Sequence, residues 1–221
     1  MWILPTRSRP DNCQRLVKHW KETKSSTPVL VRLDHCDPFL KELLKIEWPD
    51  TFIISVGERE GVAKATNEVF LKYPNESWYG FLADDFIPRT EFWDLRLIEA
   101  AGTNKCAYPN DLAGKKASLP TLPCVGGDLV RAVGWFGFPY THHYYVDTIW
   151  KFVGKELKNI VRLEDVIVEH MHPVYGKSEV DIVYKESKEK AGTDKEKYNQ
   201  WMADHSTTFI NNLKNKGFYC G

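Results

Sequence analysis

Short apolar runs alternate with amphipathic stretches along the first half of the chain. Trp2, Ile3 and Leu4 form a strand-like run that breaks at Pro5. Residues 12–22 carry Cys13, Leu16, Val17 and Trp20 at helical spacing. A second strand over residues 29–33 ends at Asp34, and a short helix is expected over 39–46. Residues 51–56 read as a third strand closed by Gly57. Residues 61–72 read as a helix with Val62, Ala65, Val69 and Phe70 on one side. A fourth apolar run begins at Trp78 and ends in two adjacent carboxylates, Asp84 and Asp85. A helix over 91–101 follows, with Thr90 as its N-cap. This alternation predicts an α/β fold, a mixed and mainly parallel sheet flanked by crossover helices.

The second half has a different texture. Residues 105–108 read as a strand and 110–121 as a polar, turn-rich segment. Residues 123–128 read as a loop around Gly126 and Gly127, and 129–136 as a short helix ended by Gly134 or Gly137. An amphipathic helix over 147–154 has Gly154 as its expected C-cap. Two short strands are expected at 160–163 and 166–168, then a charged, mostly helical tail from residue 184. We read one domain. Residues 1–104 form its nucleotide and metal half, 105–183 its acceptor half, and 184–221 the tail.

Composition narrows the class. The 221 residues balance 30 Lys+Arg against 30 Asp+Glu, so no global field favours nucleic acid or membrane. Eight Trp and 13% aromatic residues suit either a sugar-stacking cleft or a dense core. Five scattered Cys without a CxxC pair read as reduced thiols in a cytoplasmic protein. Residues 1–5 lack the basic start of a signal peptide, and no apolar run approaches membrane-spanning length.

Chemistry concentrates where strands are expected to end. Asp84 and Asp85 repel each other unless a positive group lies nearby, and a hard divalent cation is one answer. A solvated turn is the plainer one. Thr6, Arg7 and Arg9 close the first strand with hydroxyl and guanidinium groups, and a guanidinium fork matches paired phosphate oxygens. Asp34 suits a base N–H or a ribose hydroxyl, or equally an Asx-turn before Pro38. Ala63, Ala65 and Asn67 give the helix after Gly61 a small-residue face. Asp147, at a helix start, suits an N-cap or a general base. His170 and His172 fall on one face if residues 166–172 are a strand, which is metal-ligand geometry in principle.

Taken in order, these residues resemble the GT-A fold of nucleotide-sugar-dependent glycosyltransferases, in the style of family 2, over roughly the first 175 residues. The resemblance implies a Rossmann-like sheet and a metal-dependent, inverting transfer from a nucleoside-diphosphate sugar, UDP-sugar foremost. It places Mn²⁺ or Mg²⁺ on Asp85, with Asp84 toward ribose or the donor sugar. Ala83 stands where the Asp-x-Asp pattern has its first carboxylate. Thr6, Arg7, Arg9, Asp34 and Asn67 fall to the nucleotide, and Gly126, Gly127 and Asp128 beside the donor sugar and acceptor. Asp147 falls to the base, with Asp128 next in line, and His172 or His170 to a late metal or diphosphate ligand. Val146 precedes Asp147 where the family often has Glu. The acceptor is expected to be a saccharide or a hydroxymethylated DNA base, with Lys115, Lys116 and Arg131 as candidate flanks. Two other readings compete. One is a sugar-1-phosphate nucleotidyltransferase, disfavoured because residues 5–10 contain no glycine. The other is a non-catalytic saccharide- or nucleic-acid-binding module.

Overall fold

The computed structural model describes residues 1–113 and 119–220. Lys115 and Lys116, two of the expected acceptor flanks, lie outside the described residues. The first half runs β1 (Trp2–Thr6), α1 (Pro10–Glu22), β2 (Val29–Asp34), α2 (Leu40–Leu44), β3 (Phe52–Gly57), α3 (Val62–Lys72) and β4 (Trp78–Phe81). Then come β5 (Phe86–Pro88), α4 (Trp93–Ala101), β6 (Cys106–Asn110), β7 (Cys124–Gly126), α5 (Gly127–Val133) and α6 (Val146–Glu156). The long strand β8 (Ile160–His170) and helices α7 (Ile182–Asp204) and α8 (Ser206–Asn215) complete the chain.

The strands form one sheet in the order β3-β2-β1-β4-β7-β6-β8-β5. β3, β2, β1 and β4 are mutually parallel, so their C-terminal ends share one rim. β7 runs antiparallel to β4 and to β6, and β5 antiparallel to β8. The expected mixed α/β sheet flanked by helices is what forms.

Strand periodicity divides the core between the two faces. Trp2, Leu4, Val29, Val31 and Leu33 pack with α1 and α4 on one face. Ile3, Leu30 and Tyr79 pack with α3, α5, α6 and the C-terminal helices on the other. Most of the tryptophan is spent here. Trp2 lies 5.2 Å from Trp78 and 4.9 Å from Trp93, and Trp20 lies 5.6 Å from Trp93. Trp2, Trp20, Trp93 and Trp150 are fully buried, which is the dense-core reading of the aromatic content.

Several boundaries differ from expectation for traceable reasons. β1 continues through Pro5, because β4 pairs with β1 only at Trp2 and Ile3. The missing N–H of Pro5 therefore falls on a side with no ladder to break. Thr90 does not cap α4; its Oγ1 instead accepts from Ile167 N at 2.9 Å, and left-handed Phe92 starts the helix. The expected loop at 123–128 holds β7, paired to β4 and β6, because Gly126 meets the Thr103–Asn104 backbone closely enough to exclude any side chain. Gly154 lies inside α6, packed on Ile160, rather than at its end. The two late strands are one, β8, which pairs with β6 across a register shift at Pro109/Asn110.

One buried carboxylate ties α4 to the turn before β2. Asp94 Oδ2 accepts from Ser26 N (2.9 Å), Thr27 N (3.1 Å) and Thr27 Oγ1 (2.9 Å), with Asp94 fully buried. Asp94→Ala would strand these donors and is expected to cost about 3 kcal/mol in urea unfolding, without altering ligand binding at the cleft described next.

Candidate active site at the exits of the parallel strands

Because β1 to β4 run parallel, Thr6, Asp34, the loop after Gly57 and the Asp84–Asp85 turn all emerge at one rim, where open α/β sheets hold ligands. A cleft of about 310 Å³ opens there. It is lined by Thr6, Arg7, Arg9, Asp34, Asp84, Asp85, Asp147, His170 and His172 from the expected set. The β5–β8 pairing sets Phe86 opposite His170, which carries the imidazole to Asp85. Met171 N donates to Asp85 O at 2.8 Å and fixes this junction.

The two carboxylates diverge. Asp84 Oδ2 accepts from Thr6 Oγ1 (2.6 Å), and its Oδ1 from Arg9 Nη1 (3.1 Å) and Asn12 Nδ2 (3.4 Å). Burial pushes the Asp84 carboxyl up, the Arg9 guanidinium pulls against it, and the Asp85 charge adds to burial. Asp85 Oδ2 accepts from Tyr184 Oη at 2.6 Å and lies 3.4 Å from His170 Nε2. Burial alone would raise Asp85. The contacts from His170 and Tyr184 and the charge of Arg9 outweigh it and hold the carboxyl well below its usual range. Asp84 is thus tied into the protein, whereas Asp85 keeps an oxygen in reserve.

Two polar atoms here are buried without a partner, Asp85 Oδ1 and His170 Nδ1. Orphaned atoms of this kind call for an explanation. A carboxylate oxygen and an imidazole nitrogen suit a divalent cation that draws its other ligands from a diphosphate and water. Among the described residues no group of three or more His, Cys, Asp or Glu is arranged to hold a metal, so such a site would need the substrate to complete it. His172 differs, since its Nδ1 accepts from Val174 N at 3.2 Å. Its neutral ring then carries the proton on Nε2, a donor suited to phosphate oxygens rather than to a cation. The imidazoles do share a face, 5.1 Å apart.

Asp147 is not an N-cap. It is the second residue of α6, whose cap is Tyr145 with φ 78°, and its Oδ1 accepts from Thr148 N (2.6 Å) and Thr148 Oγ1 (3.1 Å). Burial pushes its carboxyl up, against those Thr148 bonds, the direction a general base needs. The strained Tyr145 is held by stacking on Tyr198 at 4.3 Å. Just before it, Asp194 accepts from three successive amides, His142 N (2.9 Å), His143 N (2.9 Å) and Tyr144 N (3.0 Å). Both holding residues belong to α7, in the stretch read from sequence only as a charged tail.

Five expected residues do not reach the cleft. β7 runs against β4, so Gly126 sits opposite Trp78 at the start of β4, and Gly127 and Asp128 follow it onto the opposite rim. Asp128 is exposed and paired with Arg131 at 2.7 Å, while Arg131 also binds the Pro74 and Glu76 carbonyls. Neither residue borders the cleft, which corrects their placement beside donor sugar and acceptor. Asn67 is spent within the fold. It accepts from Phe136 N (2.8 Å) and Gly137 N (2.9 Å) and donates to Gly137 O (2.8 Å). The cleft gains Arg59, His142, His143, Tyr184 and Glu186, which the sequence reading did not single out. Arg59 was findable, since it follows the third parallel strand onto the rim already marked by Thr6 and Asp34.

No family model and no curated protein sequence matches the chain. Its fold matches solved structures. The mannosyltransferase PcManGT from Pyrobaculum calidifontis, in complex with GDP-Man and Mn²⁺, has a TM-score of 0.61 and 13% identity, over 77% of this chain and 56% of its own. GalNAc-T7 with UDP, GalNAc and Mn²⁺ has a TM-score of 0.59 and 11% identity, over 77% of this chain and 43% of its own. Glucosyl-3-phosphoglycerate synthase from Mycobacterium tuberculosis, with Mn²⁺, UDP and phosphoglyceric acid, gives 0.51 and 10%, over 77% and 70%. The chain thus spans about half the length of the first two. The fold is that of the GT-A glycosyltransferases, and at such identity the likeness is one of fold.

The loop before α6 generates a pH prediction. Burial, with His142 and Arg9 adding to it, lowers the His143 imidazole from 6.5 to about 4. Between those values the unfolded chain binds the extra proton and the folded one does not, so stability rises with pH there and is lost on acidification. His143→Gln is expected to flatten that part of a Tm-against-pH curve. An unchanged slope would show that the imidazole is solvated.

Proposed function

We propose that this chain is a glycosyltransferase that moves a sugar from a nucleoside-diphosphate sugar to an acceptor hydroxyl. The observation that carries the reading is the buried Asp85–His170 pair, with an unpartnered oxygen and nitrogen at the exit of β4, beside a rim of arginines. The fold neighbours support it, since they carry GDP-Man or UDP together with Mn²⁺. Asp85 and His170 are the residues that would hold Mn²⁺ or Mg²⁺. Bound there, the cation would offset charge gathering on the departing diphosphate.

The remaining steps belong to the chain's own groups. Arg7 and Arg59 offer guanidinium forks to the diphosphate, and His172 Nε2 a further donor. Asp34, raised by burial against the pull of Arg7, accepts from the base or ribose. Thr6 and Arg9 act through Asp84, whose oxygens they hold. Asp147, its carboxyl pushed up by burial, takes the proton from the acceptor hydroxyl as that oxygen attacks the anomeric carbon. Attack from the face opposite the leaving diphosphate inverts the centre. We take UDP-sugar as the first donor to try, and a saccharide or a hydroxymethylated DNA base as the acceptor. No helix among the described residues is long and apolar enough to cross a membrane.

A panel of UDP-, GDP-, CDP- and TDP-sugars with Mn²⁺ is expected to raise the Tm for one nucleotide, because a ligand of the native state stabilises it. EDTA should abolish sugar transfer. Asp85→Asn should do likewise and should also lower the Tm, because Tyr184, His170 and Arg9 hold this buried carboxylate in its charged form. Release of pyrophosphate from a nucleoside triphosphate and a sugar phosphate would favour the nucleotidyltransferase reading instead. Asp147→Asn should lower turnover by about 10² to 10⁴-fold while nucleotide affinity holds. A parallel fall in affinity would make Asp147 a binding residue.

A further inference from the structure

The cleft's guanidinium groups already have carboxylate partners, two of which, Asp181 and Glu186, lie at the start of α7. Arg9 Nε and Nη2 donate to Asp181 at 2.6 and 2.9 Å. Arg59 Nη2 donates to Glu186 at 2.6 Å, and Arg7 Nε lies 3.8 Å from the same Glu186 oxygen. Between these two acids, Tyr184 spends its hydroxyl on Asp85 and lays its ring 4.2 Å from the Arg9 guanidinium carbon. The start of α7 therefore places a carboxylate, Glu186, and a hydroxyl, Tyr184 Oη, on the groups that the proposed function assigns to a diphosphate and its cation, while Asp181 holds Arg9 beside them.

Helix α7 has two unlike halves. Beyond residue 193 it is anchored, through Asp194 on three amides and Tyr198 and Trp201 in the aromatic core. Before it, Ile182 is exposed, Ser187 alone is buried, with its hydroxyl 3.2 Å from Tyr144 Oη, and the pairs to Glu186 lie at the half-open rim, where ion pairs are individually weak. Gly192 stands at the junction. A Cβ there would meet nothing within 4 Å, so no neighbour requires a glycine. Within a helix, glycine adds only backbone freedom and a cost in stability.

We propose that residues 182–191 form a displaceable strap, an internal stand-in for the donor diphosphate, that is held at Asp181 and loosens its helical path at Gly192 to let the donor in. The inference rests on the nucleotide-sugar reading. Donor entry trades the Glu186 contacts with Arg7 and Arg59 for bidentate phosphate contacts, and frees Asp85 from Tyr184. Asp181, held by two bonds from Arg9, stays as the fixed end.

The sign of the effect is unusual for cleft residues, which makes it testable by binding alone. Titration calorimetry with UDP, GDP, CDP and TDP in Mn²⁺ identifies the nucleotide. For that nucleotide, Glu186→Gln is expected to bind about three- to tenfold more tightly than wild type, by loss of a competing ion pair and of like-charge repulsion. Tyr184→Phe should bind Mn²⁺ alone more tightly. Gly192→Ala should raise the Tm and weaken nucleotide binding about two- to fivefold, the propensity difference being turned against opening. Amide exchange over residues 182–191 should quicken when nucleotide and Mn²⁺ are added. Equal or weaker binding by Glu186→Gln, or slower exchange in the liganded protein, would overturn the strap and make this segment a wall of the donor site. If no nucleotide binds to wild type or to any variant, the transferase reading itself falls and takes the strap with it. Binding that is unchanged across the variants sinks the strap alone.

Discussion

One guanidinium makes the cleft possible. Two neighbouring carboxylates, Asp84 and Asp85, are buried at the exit of β4, an arrangement that repulsion and lost hydration would both oppose. Arg9 answers for Asp84 directly at 3.1 Å and for Asp85 through its charge. It also bonds Asp181, so the loop after β1, the turn after β4 and the start of α7 meet on one side chain. Removing one member of such a buried set leaves an uncompensated charge, which costs far more than the pairing contributes. The loop that carries Arg9 is itself held against strain. Ser8 adopts φ 58°, and its amide and hydroxyl donate to Asp37 at 2.7 and 3.1 Å.

The sequence was most legible where local pattern and topology agree. Parallel βαβ units put every strand exit on one rim, so recognising four strand ends in residues 1–85 was enough to bring Thr6, Asp34 and Asp85 together. His170 was legible through strand periodicity, although its neighbour across the sheet, Phe86, was not. The same reasoning failed at Gly126, Gly127 and Asp128. Adjacent glycines before an acid look like a ligand loop, yet the run is an antiparallel strand, and its reversal sends the acid to the wrong rim. Strand direction is a long-range property that no local window carries. Asn67 misled differently, because a small-residue helix face that suits a ligand suits the Phe136–Gly137 backbone equally well.

Helix α7 was illegible for a third reason. Its charges look solvated in sequence, with weak amphipathic pattern and many Lys–Glu neighbours. In the fold, Asp194 is almost wholly buried and satisfied by amides 50 to 52 residues away, and Tyr184 meets a carboxylate 99 residues away. Helical tails read as polar because their buried acids are paired with backbone, and backbone donors leave no mark in a sequence.

The Asp194 clamp has a consequence for how the cleft wall beside Asp147 can change. The segment at 142–144 is held chiefly by main-chain amides, with Tyr144 Oη adding a contact to Ser187 Oγ at 3.2 Å. His142, His143 and Tyr144 line the cleft beside Asp147 but contribute nothing to the clamp except their N–H groups. Any residue other than proline supplies the same donor. Positions 142–144 can therefore change in polarity while the backbone path into α6 is kept, which separates the chemistry of this cleft wall from the upkeep of the fold.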